Sequence, residues 1–133
     1  MVKLPNWWFV FPGYLTLWTV IFSVYSYLDG NGMMLQFGID TGGATDFIML
    51  NSAGRYLAIA VGMLVGIWIF RSYYSILTAL AIRFCMDIMD LVIGIQTDVI
   101  QDMAGIVQSL LMFLLPGALA IGLLIKFRAA MDQ

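Results

Sequence analysis

The chain has no histidine, no glutamate and one cysteine. Without histidine there is no imidazole to serve as a base near neutral pH or to hold zinc, copper or haem iron. A lone cysteine, Cys85, makes no disulfide within the chain and supplies no thiolate cluster. In an apolar stretch it reads as a packing residue, because reactive thiols favour partly exposed, electropositive sites. Charge is scarce as well, at 11% of residues with a net charge of −2, which leaves no basic patch for nucleic acid. No nucleophile with a matched base and no glycine-rich phosphate loop is present. The expectation is no cofactor, no metal and no nucleic-acid partner. Enzymatic activity is the least supported class, with an aspartate-based isomerase or hydratase left open.

What the chain has in excess is apolar surface. Hydrophobic residues make up 62% of the 133 residues, against about 45 to 50% in a soluble domain. A helix needs about 20 mostly apolar residues to cross about 30 Å of hydrocarbon, and segments 7–28, 52–70, 73–95 and 103–125 qualify. In lipid each backbone polar group must be satisfied within its own segment, and four strands cannot close a barrel. The fold class expected is therefore all-α, an integral membrane four-helix bundle forming a single domain over 1–133. Lys3 before an apolar run resembles a secretory signal, but Pro5, Trp7, Trp8 and Pro12 interrupt it. The run also continues to Leu28, beyond the about 7 to 15 residues of a signal core.

Charge distribution predicts orientation, since cytoplasmic loops retain Lys and Arg. With both termini cytoplasmic, Lys3, Arg71, Lys126 and Arg128 lie inside, while Asp29, Asp40, Asp46, Asp98 and Asp102 lie outside. Asp132 is the one acid on the basic side. The two-residue turn at Arg71 and Ser72 forces the second and third helices to be antiparallel neighbours. The outer loop, 29–51, is too apolar to be freely solvated and reads as a passive interfacial wrap or a lid over an outer cavity. Gly30 with Gly32 and Gly42 with Gly43 divide it, with a turn at 41–43. Trp7, Trp8, Phe9 and Phe11 at one end of the first span, and Tyr25 and Tyr27 at the other, match an interfacial aromatic belt.

Helix association in lipid relies on close contact at small residues. Gly54, Ala58, Gly62 and Gly66 recur every four residues and form a small ridge on the second helix, suited to packing within the chain or to dimerisation. Pro116 and Gly117 predict a kink in the fourth.

The segment RFCMDIMD places Arg83, Asp87 and Asp90 within an otherwise apolar helix. At 1.5 Å per residue from Ser72, Arg83 lies about 16 Å deep, Asp87 about 22 Å and Asp90 about 27 Å. At 100° per residue the three fall within about 60° of arc. An ionised side chain at a helix centre costs about 2.5 to 3.5 kcal/mol even on insertion scales, so that face must look inward. Arg83 and Asp87, at i and i+4, are expected to pair. Asp90 needs a partner from elsewhere, and Arg55, one turn into the antiparallel second helix, lies at its level. Asn51, Gln108, Ser23 and Ser26 lie at compatible depths and complete an expected polar cluster in the outer half. Three readings follow: an ion-pair network that fixes register, a pocket in which Arg55 or Arg83 holds an anionic or carbonyl-bearing ligand such as a quinone head group, and a proton relay.

Four short spans, a long first outer loop, the run NSAGRYLAIAVG, the tight inner turn, and an arginine followed by aspartate on the third helix resemble the DoxX-like group of small bacterial membrane proteins and its neighbouring uncharacterised families. The matching residues are Asn51, Gly54, Arg55, Gly62, Arg83 and Asp87. The resemblance implies a four-helix bundle in a bacterial inner membrane and, for some relatives, association with quinone-linked oxidoreductases. The function expected is a structural or accessory subunit that packs against other membrane proteins or itself. The alternative is a binder or carrier of a small lipophilic or anionic ligand.

Overall fold

The structure is a computed structural model and describes residues 4–36, 46–97, 100 and 102–131. Every element among these residues is helical. The first helix enters through a 3-10 turn, Asn6–Phe9, and continues as Val10–Gln36. The second runs over Asp46–Met63 and passes into a π-helical stretch, Leu64–Phe70. The third is Tyr73–Gln96. The fourth is α-helical over Met103–Ser109, π-helical over Leu110–Leu114 and α-helical again over Leu115–Met131.

The first helix is longer than the span expected at 7–28, and the outer loop is correspondingly shorter than 29–51. Asp29 breaks the helix with φ −155° and ψ 66°, and its carboxylate accepts from Gly32 N–H at 3.0 Å. An extended residue whose side chain caps the third residue on is an N-cap, so the chain restarts as helix after Asp29. This extension buries Met33. The second helix likewise begins at Asp46. The turn expected at 41–43 lies outside the described residues.

Pairwise contacts fix an antiparallel arrangement. Ser23 Oγ donates to Ala53 O at 3.1 Å, and Phe9 meets Trp68, so the first and second helices run opposite ways. Trp8 Nε1 donates to Ala120 O at 3.1 Å while Trp18 meets Phe113, which does the same for the first and fourth. The expectation that Trp8 anchors an interface is therefore corrected. It is fully buried, because its indole N–H finds a carbonyl on another helix, whereas Trp7 is exposed. The core at this end joins Trp8, Leu15, Met63, Ile67, Ile76, Leu80 and Leu124.

The turn between the second and third helices is as short as expected. Arg71 takes a left-handed conformation, φ 49° and ψ 23°, and its guanidinium lies 5.0 Å from the centre of the Phe9 ring. Ser72 then caps the third helix by accepting from Ser75 N–H at 3.1 Å, and Ser75 Oγ returns a bond to Ser72 N–H. Arg128 stacks on Tyr73 at 4.1 Å. Arg71 and Arg128 thus share one end of the bundle, and Asp90 and Asp102 line a cavity toward the other.

The small ridge divides. A Cβ on Gly66 would come within 2.9 Å of Ser75 O and 3.0 Å of Ala79 Cβ, so Gly66 is where the second and third helices touch. Gly54, Ala58 and Gly62 are exposed, and a Cβ on Gly54 or Gly62 would meet nothing within 4 Å. As a seam within this chain the ridge is one residue long. Spacing by four drifts around a helix of 3.6 residues per turn, and the π-helical stretch from Leu64 shifts the face again.

The fourth helix continues through Pro116 and Gly117. Its irregularity lies in the turn before them, Leu110–Leu114, where a widened π turn relieves the crowding that proline imposes on the preceding residues. Gly117 is a contact point, since a Cβ there would approach the Phe84 ring to 3.0 Å.

Three helical stretches are long and apolar enough to cross a membrane: Asn6–Met33, Leu50–Phe70 and Met103–Ala129. The third helix, expected to qualify equally, does not, because any 18-residue stretch of it contains Arg83, Asp87 and Asp90. Its charges are turned inward, with Arg83 and Asp87 buried, and Ile82, Ile88, Met89 and Val92 outside.

Candidate functional site

Both expected ion pairs form. Arg83 Nη2 lies 2.9 Å from Asp87 Oδ1 one turn along the third helix, as i,i+4 spacing permits. Arg55 Nη2 lies 3.0 Å from Asp90 Oδ1 across the second and third helices. Their surroundings differ. The Arg83 and Asp87 side chains are 2% and 6% exposed, whereas those of Arg55 and Asp90 are 48% and 34% exposed. The first is an interior pair and the second a rim pair.

Beside the interior pair and Asp90 lies a partly open cavity of about 490 Å³. Arg83, Asp87 and Asp90 line it from the third helix, Trp18 and Phe22 from the first, Tyr56 from the second, and Gln108 and Phe113 from the fourth. Met33, on the extension after Asp29, contributes to the wall. The segment expected as a wrap or lid therefore supplies part of the cavity itself. Arg83 also sits over the Phe113 ring, 6.0 Å from its centre.

Tyr56 was not among the residues singled out from the sequence, yet its hydroxyl donates to Asp90 Oδ2 at 3.2 Å. Asp90 is thus held by two neighbours from one helix turn. Its signal was adjacency to Arg55, a polar-tipped aromatic at the same depth. Trp18, Phe22 and Phe113 were missed because an aromatic in an apolar helix carries no mark of the direction it faces.

Other expected members fall elsewhere. Asn51 is exposed and does not line the cavity. Ser23 is buried but donates to the Ala53 carbonyl, and Ser26 Oγ faces Met33 Sδ at 3.7 Å. Both hydroxyls are spent on helix packing. Arg55 does not line the cavity either. Cys85 is exposed on the outward side of the third helix rather than packed within the bundle.

Two buried atoms of the interior pair have no hydrogen-bond partner among the described residues: Arg83 Nε and Asp87 Oδ2. Buried polar atoms are nearly always satisfied, because leaving one unpaired costs about 1 to 3 kcal/mol, more when the group is charged. Among the described residues no group of His, Cys or Asp side chains is placed to hold a metal ion.

Comparison with family models, with curated proteins and with solved structures gave no match.

Proposed function

We propose that all four helices cross a bilayer with both termini on the cytoplasmic side, and that the chain binds a small lipophilic molecule in the cavity beside Arg83 and Asp87. The observation that carries this reading is a cavity of about 490 Å³ walled by Trp18, Phe22 and Phe113 and lined on one side by Arg83, Asp87 and Asp90. Ligand sites are typically apolar clefts of about 300 to 1,000 Å³ with a few convergent polar groups, and this cavity fits that description. The membrane part of the reading is supported by the three apolar stretches and by the inward turn of the charges on the third helix. Arg71 and Arg128 at one end, with Asp90 and Asp102 toward the other, support the orientation. A bacterial inner membrane follows from the DoxX-like resemblance and forms part of the same reading.

The test is extraction into native lipid particles, followed by mass spectrometry of retained small molecules. The parent should hold a stoichiometric lipophilic compound, and a folded Arg83→Met, Asp87→Leu double variant should not. Equal recovery from both would remove the cavity from consideration.

A second reading, an accessory subunit or self-associating protein, has its own observation. Gly54, Ala58 and Gly62 are exposed on one helix, and small residues on an outward face let another helix approach closely in lipid. A protein partner that co-purifies at fixed ratio and is lost on Gly62→Leu substitution would favour it.

A further inference from the structure

Charge and apolar surface are unevenly placed along the cavity. One end is aromatic, with Trp18, Phe22 and Phe113 in mutual ring contact at 5.5 to 6.4 Å and the buried Arg83 over the Phe113 ring. Asp102, which also lines the cavity, precedes Phe113 along the fourth helix by about 16 Å at 1.5 Å per residue. It is exposed. The cavity therefore runs from an open acidic mouth to an apolar interior.

Every basic side chain near the cavity is already committed. Arg83 meets Asp87 at 2.9 Å and Arg55 meets Asp90 at 3.0 Å. The chain has no Lys or Arg between Lys3 and Arg55, nor between Arg83 and Lys126. Arg71 and Arg128 stack on aromatic rings at the opposite end of the bundle. Among the described residues, then, no basic side chain answers Asp102, whose carboxylate accepts from Gly105 N–H at 2.8 Å. The lining holds three aspartates against one arginine, and with Arg55 counted as the counterion of Asp90 one negative charge remains. The helix end that Asp102 caps offsets about half a charge, so the mouth stays negative. An anion is repelled there, a neutral molecule leaves the imbalance as it was, and a monovalent cation removes it.

Resting on the reading that the cavity binds a lipophilic molecule, we infer that its ligand is an organic cation, an ammonium with an apolar body, whose charge is met by Asp102 at the mouth and whose body lies on Trp18, Phe22 and Phe113. Aromatic faces suit such a ligand, since they bury its apolar body and attract cationic methyl groups beside them. Arg83 does not oppose it, being buried at the far end and paired with Asp87. This departs from the anionic or carbonyl-bearing ligand that the sequence suggested.

The test compares matched probes on the intact protein in zwitterionic phosphatidylcholine nanodiscs, with binding expressed per mole of probe in the lipid so that partition cancels. The probes are octyltrimethylammonium, its uncharged isostere with a quaternary carbon in place of nitrogen, and octanesulfonate. The ammonium should bind saturably and about three-fold or more tighter than the isostere, the size of one partly screened ion pair. The sulfonate should bind weakest. Asp102→Asn keeps the helix cap, because Asn caps as well as Asp, and should abolish the preference for the ammonium while leaving the isostere unchanged. Saturable binding with no preference for the ammonium overturns this inference and leaves a lipophilic site in place. A preference for the sulfonate, or an ammonium preference that survives Asp102→Asn, overturns it too. No saturable binding by any probe overturns the site itself.

Discussion

Arg55 and Asp90 meet at 3.0 Å from two antiparallel helices, yet their side chains are 48% and 34% exposed. Position along the helices brought them together, and exposure decides what the contact is worth. A pair at this exposure contributes under about 1 kcal/mol where water screens it, and breaking it does not strand a buried charge as breaking an interior pair does. Asp90→Leu should therefore lower stability modestly, and Arg55→Leu added to it should recover little. Thermal unfolding in nanodiscs reads both. A large loss on Asp90→Leu that Arg55→Leu restores would mean that the pair is closed off from water.

The interior pair should behave in the opposite way. Arg83→Met or Asp87→Leu alone leaves one buried charge without its partner, a loss of about 3 to 5 kcal/mol, whereas replacing both with apolar groups is often close to neutral. Yield and unfolding temperature should fall sharply for each single variant and recover in the double. Three equally unstable variants would show that the pair has no mutual dependence.

Gly66 and Gly62 are one helical turn apart and should respond differently. A leucine at 66 must displace the Ser75 carbonyl or Ala79, which would approach to 2.9 and 3.0 Å even from a Cβ, and overpacking of this kind costs about 1 to 3 kcal/mol. Gly62→Leu should leave the single chain folded, since nothing lies within 4 Å of its Cβ position. Its effect, if any, belongs in an assembly measurement such as cross-linking or sedimentation. Destabilisation of the isolated chain by Gly62→Leu would contradict the outward placement of this residue.

Orientation is open to labelling. In a Cys85→Ala background, needed because Cys85 is exposed, Gly43→Cys should react with an impermeant thiol reagent from outside the cell and Ala130→Cys should not. The reverse pattern would invert the membrane arrangement.

The sequence by itself determined the quantities that depend on one helix at a time. Four helices followed from apolar length, the Arg71–Ser72 turn from the absence of any spare linker, and the Arg83–Asp87 pair from spacing of four on a single helix. Even Arg55 with Asp90 was legible, because a two-residue turn leaves antiparallel neighbours little freedom in register. Azimuth was not legible. Whether Gly62 faces a neighbour or the outside, whether Trp8 lies in the core or at a rim, and whether Trp18, Phe22 and Phe113 converge on one cavity depend on how each helix is rotated about its axis. In an apolar chain nearly every face is hydrophobic, so little in composition fixes that rotation. The tertiary structure fixed it through a few contacts between helices: the indole N–H of Trp8 on the Ala120 carbonyl, Ser23 on the Ala53 carbonyl, and the backbone approach at Gly66. That the Arg83–Asp87 pair closes through Nη2 and Oδ1 and leaves Nε and Oδ2 without partners was also decided there, because spacing can bring an arginine and an aspartate together but cannot say how many of their hydrogen bonds close.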